Sequence, residues 1–381
     1  MKKWMAVILL ALMVAAVGCG GGDQQVAEDA IKIGIQGPMS GPMALEGQGF
    51  LKAAQLLADQ INEQGGLLGR EIVIVPGDDK SDPKESALVA QKMISSNVVA
   101  VIGSYSSTAT EPAANIYHEA GILHITPSST ATPLSEKGFE RFFRTCFLDD
   151  RQGLFAAQFA VDTLGLSKVA LIHDNTTYAK GLADWTRIYL EENGATVVYY
   201  DAITPGEKDF SPVLTNVKGV APELIYFTGY FSDGGLLVRQ ARELGIECLI
   251  MGGNAMNNSD LVKNAGLQYA QGVLVTTEPV PTDLPYAEAQ QFIADFEAAY
   301  GTPPQSIWTL SGADALRVVV EAIAQTGSDD PAVLAEYLHN EMGDFPGITG
   351  PITFDEKGDR LGTIHKAYEV DAEGNFVPYE G

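Results

Sequence analysis

The chain has 381 residues, with 24 Lys and Arg against 49 Asp and Glu and a formal net charge of −25. Such acidity repels phosphate backbones and anionic lipid, which excludes general nucleic-acid binding. The 46% apolar and 19% charged residues exclude a disordered chain, and three cysteines exclude a disulfide-dense scaffold or an all-cysteine zinc site. At this length about two domains are expected.

Lys2 and Lys3 precede an uncharged, mostly apolar run, Trp4 to Val17. It is short of the roughly 20 residues needed to span a bilayer, so residues 1–18 read as a signal peptide. Gly18-Cys19, following Ala16-Val17, looks like a bacterial lipoprotein box, in which Cys19 becomes the lipidated first residue of the mature chain. The alternative is plain secretion with Cys19 lost. A flexible tether, glycine-rich at Gly20-Gly21-Gly22, covers residues 19–30. Either reading places the rest outside the cytoplasmic membrane. Cys146 and Cys248 are expected there as two buried free thiols, although an oxidising compartment permits a bridge.

Short β-branched runs then recur: Ile31 to Ile35, Ile72 to Val75, Val98 to Ile102, Ile122 to Ile125, Val169 to Ile172, Val197 to Tyr200, Leu224 to Phe227, Cys248 to Met251 and Val273 to Val275. Nearly continuous apolar runs suit parallel strands covered on both faces. Between them, Phe50, Ala53, Ala54, Leu57 and Ile61, and later Leu154, Ala157, Val161 and Leu164, repeat at helical spacing. Gly121, Gly165, Gly194 and Gly245 stand where each helix should end. Repeated βα units build doubly wound sheets. With weaker strand signals at Pro351 to Phe354 and Ile364 to Val370, there are too many strands for one compact sheet. A break near Phe142 to Asp150 separates two runs of units, and the helix-rich stretch from Tyr286 to Met342 could return to the first sheet.

Ligands of open α/β sheets bind beyond the carboxyl ends of the strands, which selects particular loops. Gly103 to Thr108 and Thr126 to Thr130 are rich in hydroxyls and lead toward helix N-termini, chemistry suited to a carboxylate; each taken alone reads first as a helix cap, and the two together as a carboxylate cradle. In the second half, His173 to Tyr178, Thr228-Gly229-Tyr230 and Gly252-Gly253-Asn254 follow strands and would face them across a cleft. Signatures of metalloproteases, serine hydrolases, phosphate loops and dinucleotide folds are absent. Histidines 118, 124, 173, 339 and 365 show no ligating i, i+4 pair and read as structural or exposed. Asp78, Asp79 and Asp82 lack the spacing of a calcium loop. No metal, cofactor or catalytic residue is expected. A hydrolase would need a base beside Ser107, with only His124 and His173 at strand termini to supply one.

Several segments resemble the leucine/isoleucine/valine-binding proteins, solute receptors of branched-chain amino-acid ABC importers with the type I periplasmic binding fold. They are Ile31-Lys32-Ile33-Gly34 with Met39-Ser40-Gly41-Pro42, Gly121 to Pro127, His173-Asp174 with Tyr178 to Leu182, Gly206 to Phe210, and Phe354 to Asp359. The resemblance implies an α/β architecture of two doubly wound, Rossmann-like lobes joined by a three-crossing hinge, with residues 31–148 and 279–362 in lobe 1 and residues 149–278 and 363–381 in lobe 2. It implies that Ser107 and Thr130 hold a ligand carboxylate, that the Ser128 carbonyl and Thr130 hydroxyl receive its ammonium, and that Tyr178 and Tyr230 close from lobe 2.

The sequence departs from that pattern. The family commonly has an ammonium-neutralising glutamate where Asn254 stands, and aromatic residues at the positions of Glu46 and Ser306. The family's disulfide positions hold Ser81 and Ser106, so that bridge is absent. Glu46 would supply the missing charge to the ammonium or to a polar ligand side chain, or else would be a solvent-facing loop residue. The function expected is a monomeric lipid-anchored receptor delivering a branched-chain or related amino acid to an ABC permease and ATPase. The alternatives are a receptor for a polar amino acid, amide or small carboxylic acid, and a ligand sensor for a membrane signalling partner.

Overall fold

The computed structural model describes residues 29–381. The signal peptide, Cys19 and nearly all of the tether lie outside those residues. Among the described residues no helix is long and apolar enough to cross a membrane.

The first sheet is built from β1 (Ile31–Gly37), β2 (Ile72–Asp78), β3 (Ala100–Ile102), β4 (Leu123–Thr126) and β5 (Phe142–Arg144). Their order is β2-β1-β3-β4-β5, and every pair is parallel. The second sheet contains β6 (Lys168–His173), β7 (Thr196–Ala202), β8 (Leu224–Phe227), β9 (Leu249–Gly252) and β10 (Leu274–Thr277). A small hairpin of β11 (Phe345–Gly347) and β12 (Gly350–Ile352) comes next in the chain. Then β13 (Lys366–Val370) and β14 (Phe376–Pro378) return to the second sheet, whose order is β14-β13-β10-β9-β8-β6-β7.

The alternating apolar runs explain these layers. Ile31, Ile33 and Ile35 of β1 are fully buried, and the helix Ala44–Glu63 covers the sheet with Phe50, Ala53, Ala54 and Ala58. Asp82 and Ser106 cap the following helices through their side chains, and Gly121 ends the second of these at φ 72°, a conformation glycine adopts without strain. The helix Ile307–Thr326 packs on Ala44–Glu63 and reaches β3 and β4, so the helix-rich stretch does return to the first sheet.

Several expectations are corrected. The break at Phe142 to Asp150 contains an edge strand, β5, whose three residues are too few to show a period. The second sheet is mixed, because β13 runs antiparallel to β10 and β14 antiparallel to β13. β7 is an edge strand of half-buried residues, not one covered on both faces. Cys146 is buried, but Cys248 is only partly so; both are free. Asp78, Asp79 and Asp82 are occupied internally: Asp78 accepts from Met39 N and Ser40, Asp79 from Gln36 and Ser104, and Asp82 caps its helix.

In each sheet the strand order reverses once, between β1 and β3 and between β6 and β8. A crevice opens outside the carboxyl ends of strands at such a reversal. The loops and helix starts there carry Glu46 and Tyr105 on one lobe, Tyr178 and Tyr230 on the other.

Candidate functional site

The two lobes meet over that crevice. Thr177 N donates to Thr108 Oγ1 at 3.0 Å, Asn258 Nδ2 to Glu46 Oε1 at 2.9 Å, and the Tyr105 and Tyr230 rings lie 5.9 Å apart. Between the lobes, Tyr105, Ser128, Tyr178, Tyr230, Asn254, Ala255 and Trp308 enclose a space of about 10 Å³ for a water's centre, room for about one water molecule. The cleft is therefore closed. A groove of about 760 Å³, lined by Lys80, Ser106, Thr108, Asp174, Lys208 and Tyr230 among others, leads outward from it.

On lobe 1, Ser107 is the first residue of the helix Ser107–Ala120, and its Oγ accepts from Ala131 N at 3.3 Å. This ties it to the strand-end loop carrying Thr130. Both residues are buried, and the Thr130 hydroxyl lies against the Asp149 carboxyl, whose ionised form it favours, without a well-formed hydrogen bond. Ser128 donates to Tyr105 O at 3.0 Å. Arg144 holds the same loop from behind, donating to Ser129 O and Ala131 O at 2.9 and 3.1 Å while paired with buried Asp359. The resemblance-derived hydroxyl residues are thus brought together, with Ser128 on the cavity wall and Ser107 and Thr130 in the layer behind it.

On lobe 2, the Tyr178 hydroxyl donates to Asn254 Oδ1 at 2.8 Å. The rings of Tyr178 and Tyr230 lie 5.3 Å apart, tilted by 53°. Burial pushes the hydroxyls of Tyr105, Tyr178 and Tyr230 well above their ordinary range, so all three stay neutral donors.

Glu46 is not a solvent-facing loop residue. It lies in the first turn of the helix Ala44–Glu63 and is 1% exposed. Burial raises its carboxyl to about 7 against the opposing hydrogen bonds of Ser306 and Asn258. Oε2 has no partner. Ser306, also buried, caps the helix Ile307–Thr326 by accepting from Trp308 N at 3.2 Å.

Two cavity-wall residues, Tyr105 and Trp308, and two buried carboxyls behind the wall, Asp149 and Glu278, were missed. Tyr105 lies within a loop singled out for its hydroxyls, and the rule that found Tyr178 and Tyr230 selects it equally; with Trp308 it supplies aromatic wall. Asp149 and Glu278 are buried carboxyls, each raised by burial to about 7. The Thr130 hydroxyl opposes that rise at Asp149, and among the described residues Glu278 Oε1 has no hydrogen-bond partner. Asp149 opens the helix Asp149–Gln158 and Glu278 directly follows β10; a sequence does not fix such element ends, so no signal marks either carboxyl as buried. Of the histidines, His124 is buried and held at about 4 by desolvation, with Nε2 against Gly103 O at 2.6 Å, a structural role.

Two α/β lobes that close over a small polar cavity define an extracytoplasmic solute-binding fold. The sequence matches the family described as periplasmic binding protein over residues 30–375, and the chain belongs to that family. It is 36% identical over 365 residues to the Leu/Ile/Val-binding protein of Escherichia coli K12, covering 96% of this chain and 97% of the relative. It is 35% identical over 377 residues to an amino acid binding protein of Pseudomonas aeruginosa, covering 98% of each. The crystal structure of a leucine binding protein from Thermotoga maritima superposes with a TM-score of 0.86 at 30% identity, covering 92% of this chain and 98% of that one.

Proposed function

We propose that this protein is a solute receptor of an ABC importer, lipid-anchored through Cys19, that captures an amino acid between its lobes and presents it to a permease. The lobe boundaries are those at residues 148, 278 and 362, and the molecule acts as a monomer. Leucine, isoleucine and valine are the first ligands to test, in keeping with the full-length relatives that bear those names.

One observation carries the reading. A buried hydroxyl loop of one lobe, with Ser128 on the cavity wall and Ser107 and Thr130 in the layer behind it, opposes Tyr178, Tyr230 and Asn254 of the other across a closed gap. A solute touching both lobes binds the closed form better and shifts the population toward it. Closure removes water and strengthens each hydrogen bond to the solute. Since the closed gap holds about one water, the lobes must part to admit an amino acid.

Glu46 supports a second reading, a ligand with a polar side chain. A buried carboxylate with one free oxygen favours a hydrogen-bond donor at the far end of the ligand over a hydrocarbon. A thermal-shift screen of the purified protein against the twenty amino acids, their amides and small carboxylic acids separates the readings, because a ligand of the folded form raises its melting temperature. A shift with aliphatic amino acids favours the first. A shift confined to glutamine, asparagine, lysine or arginine favours the second, and none with any amino acid removes both. Loss of fatty-acid labelling in Cys19→Ser is the expected result for the anchor.

A further inference from the structure

Asn254 stands where the resemblance puts an ammonium-neutralising carboxylate, and its carboxamide is already oriented. Oδ1 accepts from the Tyr178 hydroxyl at 2.8 Å, so Nδ2 faces away, toward Glu278 Oε2 at 3.4 Å. Glu278 follows β10 directly and is 3% exposed. Thr277 Oγ1 donates to the same oxygen at an equally long 3.4 Å, the carboxylate's own backbone N–H also favours it, and among the described residues Oε1 has no hydrogen-bond partner.

The surroundings offer Glu278 no cation of its own. His365 Nε2 lies 3.8 Å from Oε1, but desolvation lowers its imidazole to about 3, so it is neutral at working pH. Arg360 attracts the carboxylate at longer range, yet its guanidinium is spent on Thr145 O, Thr349 and Gly350 O. Asp149, also held near 7, repels Glu278, and the Cys146 thiol is pushed up by burial and stays neutral. A buried carboxylate this poorly matched is costly unless a cation arrives, and Glu278 sits one loose hydrogen bond behind the cavity residue Asn254.

We propose that Glu278, acting beside Asn254, is the counter-charge for the ligand's α-ammonium, so that the anchor has moved from position 254 to position 278. The ligand class follows: α-amino acids, not carboxylic acids lacking the amino group. This rests on the amino-acid receptor reading. In the free protein Glu278 is half protonated near pH 7. An ammonium favours the ionised form, so below that pH binding expels a proton, and affinity falls toward tenfold for each further unit.

The test is calorimetric titration of the purified protein at pH 6 with leucine and with 4-methylpentanoate, its counterpart without the amino group, in two buffers of different ionisation enthalpy. The wild type is expected to release close to one proton and to favour leucine by about a hundredfold, as for a charged hydrogen bond in a buried site. Glu278→Gln should lose about that factor for leucine, lose the discrimination, and lose the proton release. The double variant Asn254→Glu/Glu278→Gln should regain leucine binding, which a merely structural role for Glu278 does not allow. Leucine affinity within threefold of wild type in Glu278→Gln, with proton release intact, overturns the proposal alone. If that variant does not fold, the absence of proton release in the wild type overturns it. A wild type that binds none of the twenty amino acids overturns the receptor reading and this proposal together.

Discussion

Asn258 and Glu46 join the two lobes through a single hydrogen bond, Nδ2 to Oε1 at 2.9 Å, and the carboxyl that accepts it is buried and raised from 4.5 to about 7. A carboxyl whose folded pKa lies above its unfolded value opposes folding when ionised. The penalty is absent below about pH 4.5, grows through the interval up to 7 and is complete above it. Two and a half pH units correspond to roughly 3 kcal/mol, an upper figure because a slight opening would rehydrate the group. Glu46→Gln keeps an oxygen for Asn258 and removes the charge. It should be more stable than wild type at pH 8 by up to that amount, the difference shrinking toward zero at pH 5. The buried histidines His124, His173 and His365, lowered by desolvation, give the opposite slope, but equally in both proteins. Urea unfolding at pH 5, 6, 7 and 8 measures the difference; a constant offset would mean Glu46 keeps an ordinary pKa.

Arg144 and Asp359 pose a different electrostatic case, because both are buried and paired. Removing one partner strands the other, at a typical cost of 3–5 kcal/mol. Arg144 also donates to the carbonyls of Ser129 and Ala131 on either side of Thr130. Arg144→Met should therefore lower the unfolding free energy by about 3–5 kcal/mol, and should weaken leucine binding even at temperatures where the protein is fully folded. Asp359→Asn, which leaves the guanidinium in place on those carbonyls, should cost stability with a smaller effect on affinity. Equal losses of affinity in the two variants would show that the loop is not held by Arg144.

How far the sequence reveals this molecule depends on which physical signal each residue carries. Ile31, Ile33 and Ile35 announce a covered strand through closely spaced β-branched residues, interrupted by Lys32, and helices such as Ala44–Glu63 announce themselves through their period. Ser107, Thr130, Tyr178 and Tyr230 were legible because strand-end loops of an open sheet are few and their polar residues conspicuous. Glu46 was legible as a departure from a family pattern, not as a buried group, since burial is set by Asn258 and Ser306 from distant parts of the chain. Asp149 and Glu278 were not legible, because nothing local separates a buried carboxylate from the many exposed ones in so acidic a chain. β5, β11 and β14, at three residues each, are too short for any period to appear.

The hydroxyl of Tyr178 is the link between the tyrosine pair and Asn254. It donates to Oδ1 at 2.8 Å and lies 3.4 Å from the Ala255 N–H. Tyr178→Phe preserves the ring contact with Tyr230 while leaving a buried amide oxygen without its donor, a loss of about 1–3 kcal/mol. Leucine affinity should fall by roughly tenfold, with the melting temperature of the free protein changed by only a few degrees. Retention of full affinity would indicate that the orientation of Asn254 does not matter to the site.

Closure itself has a measurable contact in Thr108 and Thr177. The backbone N–H of Thr177, the first residue of the helix Thr177–Glu192, is one of the donors that a helix start leaves unsatisfied. Thr108 Oγ1 of the other lobe accepts from it at 3.0 Å. In an open molecule water takes that place, so the bond contributes to closure and not to the stability of either lobe. Thr108→Val has the same shape without the acceptor. It should reduce the closed population by about 1 kcal/mol, the net worth of a typical hydrogen bond. Because apparent affinity scales with the binding-competent fraction, leucine should bind about fivefold more weakly, while the midpoint of urea unfolding for the free protein stays within error. Unchanged affinity would mean that this contact forms without favouring closure.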